Sequence, residues 1–176
     1  MDEIQSMGGF LICLESRFAD QWRGIDGISI DPDSLMAGVT TDYDRACRIP
    51  NQYLCVLRLR HGAALILGDR PLITGVWRNS RSQVIIWRIS YAEPDDDVPS
   101  LLESLAEKSF EAPLESIEFS FYSRRVVIFD SALPGDEAQS ASISFDITPG
   151  RYQVTTHEVQ PTPTAELLLH RFNAIT

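Results

Sequence analysis

The sequence predicts an α+β fold made mostly of antiparallel strands in two packed layers, with one main helix at about residues 97–109. Three observations lead there. Short segments with period-two alternation recur along the chain, as half-buried strands require. Turn chemistry at His61-Gly62 and at Pro149-Gly150 joins neighbouring segments as hairpins do. A single stretch, Val98, Leu101, Leu102, Leu105 and Ala106, has helical spacing instead, giving one apolar stripe.

In chain order, Gly9 to Leu14 reads as a strand. A long irregular segment, Glu15 to Thr41, follows with Gly24, Gly27, Pro32 and Gly38, and such a connection is either functional or holds a short helix around Arg17 to Trp22. Tyr53 to Leu59 and Ala63 to Leu67 form a hairpin about Arg60-His61-Gly62, and Gly68-Asp69-Arg70-Pro71 is a further turn. Ile73 to Trp77 and Val84 to Tyr91 pair around Arg78 to Ser82, with Trp87, Ile89 and Tyr91 on one face. Asp95-Asp96-Asp97 then supplies side-chain oxygens to the open N–H groups of the helix, and Pro99 suits its first turn. The stretch Phe110 to Pro113 ends it. Beyond it come Ser116 to Tyr122, with Ile117, Phe119 and Phe121 on one face, then Val126 to Phe129 and Ala141 to Ile147. Tyr152 to Val159 is expected to pair back across Pro149-Gly150, and Leu167 to Phe172 is the final strand.

At 176 residues the chain is one ordinary domain with enough length for a sizeable core. A weak echo between Leu65-Ile66-Leu67-Gly68-Asp69 and Val126-Val127-Ile128-Phe129-Asp130 leaves open two related β halves, about 8–92 and 114–176, joined by the acidic helix. The plainer alternative is that buried strands ending at an acidic turn look alike. The longest apolar runs, Phe10 to Leu14 and Ala63 to Leu67, are five residues each, whereas a membrane-spanning helix needs about 20. The acidic start, Met1-Asp2-Glu3, lacks the basic and apolar regions of a signal peptide, so a cytoplasmic protein is expected. Cys13, Cys47 and Cys55 fit that compartment as buried free thiols.

Net charge is −10, from 25 acidic and 15 basic residues. That balance opposes nucleic acid and anionic membranes and favours a basic protein partner. Neither a cofactor nor a metal is expected: there is no Cys-x-x-Cys pair, and three scattered histidines make a poor ligand set. Asp42-Tyr43-Asp44-Arg45-Ala46-Cys47 places two carboxylates and a thiol within six residues, but no histidine precedes Cys47 to activate it. A structural corner is the plainer reading, with Asp42 capping a turn, Tyr43 and Cys47 facing the core and Arg45 paired with a carboxylate. Ser131, Asp130, His157 and His170 could be drawn as a hydrolase triad, yet no Gly-x-Ser-x-Gly elbow accompanies them.

Gly8-Gly9, Trp22-Arg23-Gly24, the Asp42 to Cys47 hexapeptide and Leu65-Ile66-Leu67-Gly68-Asp69-Arg70-Pro71-Leu72, in this order and spacing, resemble the Immunity protein 21 family of bacterial polymorphic toxin systems. The resemblance spans roughly Gly8 to Leu105. Arg70 stands where that pattern often has an acidic residue, and the segment from Gly24 to Asp42 is longer. The resemblance implies a non-catalytic protein that neutralises a cognate toxin domain, often a basic nuclease, by steric occlusion with electrostatic steering, and a monomer is expected. It assigns no catalytic residues. The runner-up is an uncharacterised hydrolase or small-ligand-binding β domain. Two acidic surfaces compete for the partner. One is the loop carrying Asp26, Asp31, Asp33, Asp42 and Asp44 with Trp22 beside it. The other is the helix with Asp96, Glu103 and Glu107. Binding residues concentrate on irregular loops, so the loop is expected to hold the partner and the helix to speed its approach.

Overall fold

A computed structural model describes residues 2–6, 9–31, 37–68, 72–78, 83–93, 96–105, 110 and 112–175. Strand dominates, in two sheets of mostly antiparallel strands, with two α-helices among the described residues. The chain divides into two compact units that interleave in sequence. One comprises Met1–Glu3, Leu72–Ser120 and Gly150–Thr176, and the other Ile4–Pro71 and Phe121–Pro149. The acidic helix lies within the first of these units.

The second unit is built on a five-stranded sheet. Its strands are β2 (Leu11–Glu15), β3 (Leu54–Leu59), β4 (Gly62–Leu67), β8 (Arg125–Asp130) and β9 (Ser142–Asp146), in the order β3-β4-β2-β8-β9. Every residue of β2 is buried, because β4 pairs on one side and β8 on the other, with Leu11 opposite both Leu67 and Asp130. Alternation splits its side chains. Ile12 and Leu14 join Phe10, Ala64, Ile66, Val127 and Phe129 in one core. The long segment after β2 covers that core. Residues Ser16–Gln21 form a 3₁₀ helix, the short helix that the length of this connection left room for, and Trp22 and Ala46 pack into the core on the sheet face. From this irregular segment, Phe18, Ala19 and Trp22 pack on the core.

The other sheet has six strands, β1 (Glu3–Gln5), β5 (Ile73–Arg78), β6 (Val84–Ala92), β7 (Glu115–Phe121), β10 (Gly150–Thr162) and β11 (Ala165–Ile175), in the order β1-β5-β6-β11-β10-β7. Helix α2 (Val98–Leu105) buries Leu102 and Leu105 against Trp77, Ile85, Trp87, Leu167 and Leu169. Its predicted continuation through residues 106–109 lies outside the described residues, as do Gly8 and the Asp69-Arg70-Pro71 turn.

Three expectations are corrected. Pro149-Gly150 is no hairpin turn: β9 pairs with β8, while β10 joins the other sheet and pairs with β11 from Arg151↔Ile175 to Thr162↔Ala165. The longer ladder to β11 takes β10 away from its sequence neighbour. Tyr91 does not share the buried face of Trp87 and Ile89. Leu167 pairs with Ile89 but Glu166 with Tyr91, so Ser90 is an extra residue, and this bulge breaks the period of two. Tyr91 emerges 44% exposed. Of the three thiols only Cys13 is buried; Cys55 is half-buried and Cys47 exposed. Helix α1 (Asp42–Cys47) buries Asp42 and Ala46, and Cys47, one residue past Ala46, is turned about 100° away. No described helix is long and apolar enough to cross a membrane.

Candidate functional site

The loop candidate begins with α1. A capping box starts it: the Asp44 backbone N–H donates to Thr41 Oγ1 at 3.0 Å, and Asp44 Oδ2 accepts from the Thr41 N–H at 3.0 Å. Thr41 is therefore the cap, and Asp42 is the first helical residue. Asp42 does something else. Fully buried, it forms an ion pair with Arg45 at 2.8 Å. Its carboxylate also accepts from the Arg23 N–H at 2.9 Å, the Ser29 N–H at 3.1 Å and Ser29 Oγ at 2.9 Å. The Arg45 guanidinium in turn donates to the Arg58 carbonyl on edge strand β3.

Trp22 is fully buried as well, and its Nε1–H donates to the Ser131 carbonyl at 2.8 Å. Gly24 follows with φ of +55°, and a Cβ there would meet the Ala132 carbonyl. Tyr43 packs on Gly9, where a Cβ would come within 2.6 Å of its hydroxyl. So Trp22 and Asp42, expected at a binding surface, are instead the pins of this loop. Their types misled because Trp and Asp serve interfaces and buried networks alike.

The loop exposes Arg23, Ile25 (59% exposed), Asp26 and Asp31, among others; Asp33 lies outside the described residues. Asp44 is half-buried and committed to the cap, and the Thr40 N–H above all holds its carboxyl below the ordinary range. Residues Ile28 to Asp31 face Arg58 to Arg60 across a cleft of about 730 Å³. Its charge is mixed, since Arg58 and Arg60 stand opposite Asp31.

The second candidate is more uniformly acidic. The unit containing α2 carries 13 acidic and 6 basic residues, net −7, against 12 and 9, net −3, in the other. Glu103 is exposed on α2. Asp96 is half-buried and tied down, accepting from the Glu93 N–H at 2.9 Å and Thr164 Oγ1 at 3.2 Å. Glu107 and Asp95 lie outside the described residues. Beyond the end of α2 a groove of about 520 Å³ is lined by Leu105, Phe110, Leu114 and Val159 and by Glu158 and Glu166, whose strand positions alternate away from that of Val159. These two glutamates were not singled out from the sequence. Each sits alone within a strand, away from the acidic run that drew notice.

The residues weighed for catalysis are engaged structurally. Ser131 Oγ donates to the Phe10 carbonyl at 2.7 Å, and Asp130 accepts from the Ala132 N–H at 2.9 Å and Ser6 Oγ at 3.2 Å. His170 is buried with Nδ1 3.0 Å from Thr156 Oγ1. His157 packs beside Phe110, with ring centroids 5.2 Å apart and planes tilted by 39°.

No curated protein and no solved structure matches the chain. The family model for Immunity protein 21 matches residues 2–165, well beyond the stretch that carries the motifs, and the chain therefore belongs to the Immunity protein 21 family.

Proposed function

We propose that this protein binds one cognate toxin domain and neutralises it by covering the toxin's working surface. Membership of an immunity-protein family over nearly the whole chain is the observation that carries this reading. The net charge of −10 supports a basic target, such as a nuclease domain. Complementary charge raises association rates and disfavours wrong partners, while affinity comes from a few well-packed anchors. The protein acts as a monomer in the cytoplasm of the cell it protects. Ile25, Asp26 and Asp31, exposed on the loop, contact the toxin, and Glu103 on α2 steers the encounter. The test is co-expression with the toxin domain encoded beside it. Cells making both should grow, and cells making the toxin alone should stop; equal killing in both would remove this function.

A further inference from the structure

We infer that the open edge of β9 docks an extended segment of the toxin as an added strand, with a lysine or arginine of that segment facing Asp20 and Asp136. This rests on the reading of the protein as a toxin-binding immunity protein and adds the place and the chemistry of a contact.

Strand β9 ends the order β3-β4-β2-β8-β9, so among the described residues β8 alone pairs with it. In an antiparallel pair, successive residues turn their N–H and C=O toward the neighbour and away from it. Ile147 donates its N–H to the Arg124 carbonyl at 2.8 Å, one step beyond the Arg125↔Asp146 pair. Ile143 and Phe145 therefore turn toward β8, and Ser142, Ser144 and Asp146 turn outward. The Ser144 N–H and C=O have no partner among the described residues. Exposed edges invite pairing unless the sequence blunts them. The opposite edge, β3, is blunted: the Leu54 carbonyl accepts from Asn51 Nδ2 at 3.0 Å, and the Arg58 carbonyl accepts from the Arg45 guanidinium. In the other sheet, β1 has three residues and β7 carries Glu115 and Glu118. Strand β9 has no proline, lysine or bulge, and its one charge, Asp146, stands at its end in an ion pair with Arg124 at 3.0 Å.

The side chains beside this edge select the occupant. Residues opposite each other on paired strands share a face, so Ser142 and Ser144 lie beside Phe129 and Val127. On that face a groove of about 500 Å³ runs between residues 16–20 and 135–138. Asp20 and Asp136 are exposed on its walls, and neither carboxylate has a partner among the described residues. The arginines of the groove have acidic neighbours: Arg17 pairs with Glu15 at 2.9 Å, and Arg125 lies opposite Asp146. A cationic residue of the added strand thus finds its complement at the two aspartates. Main-chain pairing then supplies affinity, and the side chain facing the groove supplies selectivity. The loop proposed to contact the toxin adjoins the same wall, because the Ile25 N–H donates to the Ala132 carbonyl at 3.0 Å.

The test measures binding of the full chain to the toxin domain encoded beside it. Ser144→Pro deletes the outward N–H and leaves the ladder to β8 intact, since edge strands accept proline where the N–H faces solvent. It should weaken binding about tenfold or more, whereas Ser144→Ala, which keeps the N–H, should bind as wild type does. Asp20→Asn with Asp136→Asn should slow association severalfold at low salt. Thermal midpoints close to wild type establish that each variant folds. Hydrogen exchange reads the same contact without a substitution: the Ser144 amide should exchange quickly in the free protein and slowly in the complex. A folded Ser144→Pro that binds as wild type does, or a Ser144 amide left unprotected in the complex, overturns the docking edge while the immunity function stands. A free protein that is dimeric, and that Ser144→Pro makes monomeric, overturns it too, because the edge is then a contact between copies. If the unmodified protein does not bind the toxin at all, that function and the inference fall together.

Discussion

Asp42 and Arg45, one turn apart on α1, form an ion pair 2.8 Å long with the carboxylate fully buried. Asp42 also gathers Arg23 and Ser29, while Arg45 reaches edge strand β3. One carboxylate therefore fixes the path of a loop of some twenty residues over the sheet. Removing one member of such a pair leaves the other charge buried, which costs about 3–5 kcal/mol. Asp42→Asn is expected to lose at least about 3 kcal/mol in urea unfolding. A loss below about 1 kcal/mol would show that the loop is held by other means.

Trp22→Phe keeps most of the apolar contact but deletes the donor to the Ser131 carbonyl. An unpaired buried carbonyl costs about 1–3 kcal/mol. The variant should lose that much stability without losing its fold, read as a lower denaturation midpoint with an unchanged slope.

Gly24 adopts a left-handed φ of +55° against the Ala132 backbone. Gly24→Ala adds both a conformational penalty and a clash, so a loss above about 1 kcal/mol is expected. Gly27→Ala, where a Cβ would meet only Arg23 Cβ at 3.8 Å, is the control and should cost less. Equal melting temperatures for the two would refute the close approach at Gly24.

His170 should make stability pH-dependent. Burial, and then the neighbouring Arg88 guanidinium, push its pKa well below 6.5. In the folded state it stays neutral at mild acidity, whereas in the unfolded chain it takes up a proton as pH falls through 6.5. The unfolded state then binds more protons, so the contribution is complete above that pH and declines below it. Each further pH unit costs up to about 1.4 kcal/mol. Urea midpoints between pH 7.5 and 5.5 should fall in the wild type and fall less in His170→Gln.

The thiols should separate by reactivity. Cys47 is exposed, whereas burial pushes the Cys13 thiol strongly up and hides it within β2. A thiol reagent followed by peptide mass analysis should label Cys47 quickly and Cys13 only on unfolding. Early labelling of Cys13 would mean that β2 opens readily.

Period-two runs and a single helical stripe suffice to read β2 through β8 and the start of α2 close to their observed bounds, because side-chain direction repeats with the backbone. The surface was harder to read. Trp22 and Asp42 looked like contact residues from type and position alone, and only their burial shows that they hold the loop. Tyr91 looked like core because its alternation was unbroken; the extra residue Ser90 becomes visible only beside β11.

By itself, then, the sequence determined the strand-rich class, the acidic balance and, through its ordered motifs, the family. Those follow from local periodicity, net composition and residue identity, which need no partner in space. Tertiary structure alone decided which sheet each strand joins, that β10 leaves β9 for β11, and which carboxylates are buried or free. Such outcomes depend on long-range pairing and on what each side chain meets across the fold, and a one-dimensional pattern carries neither.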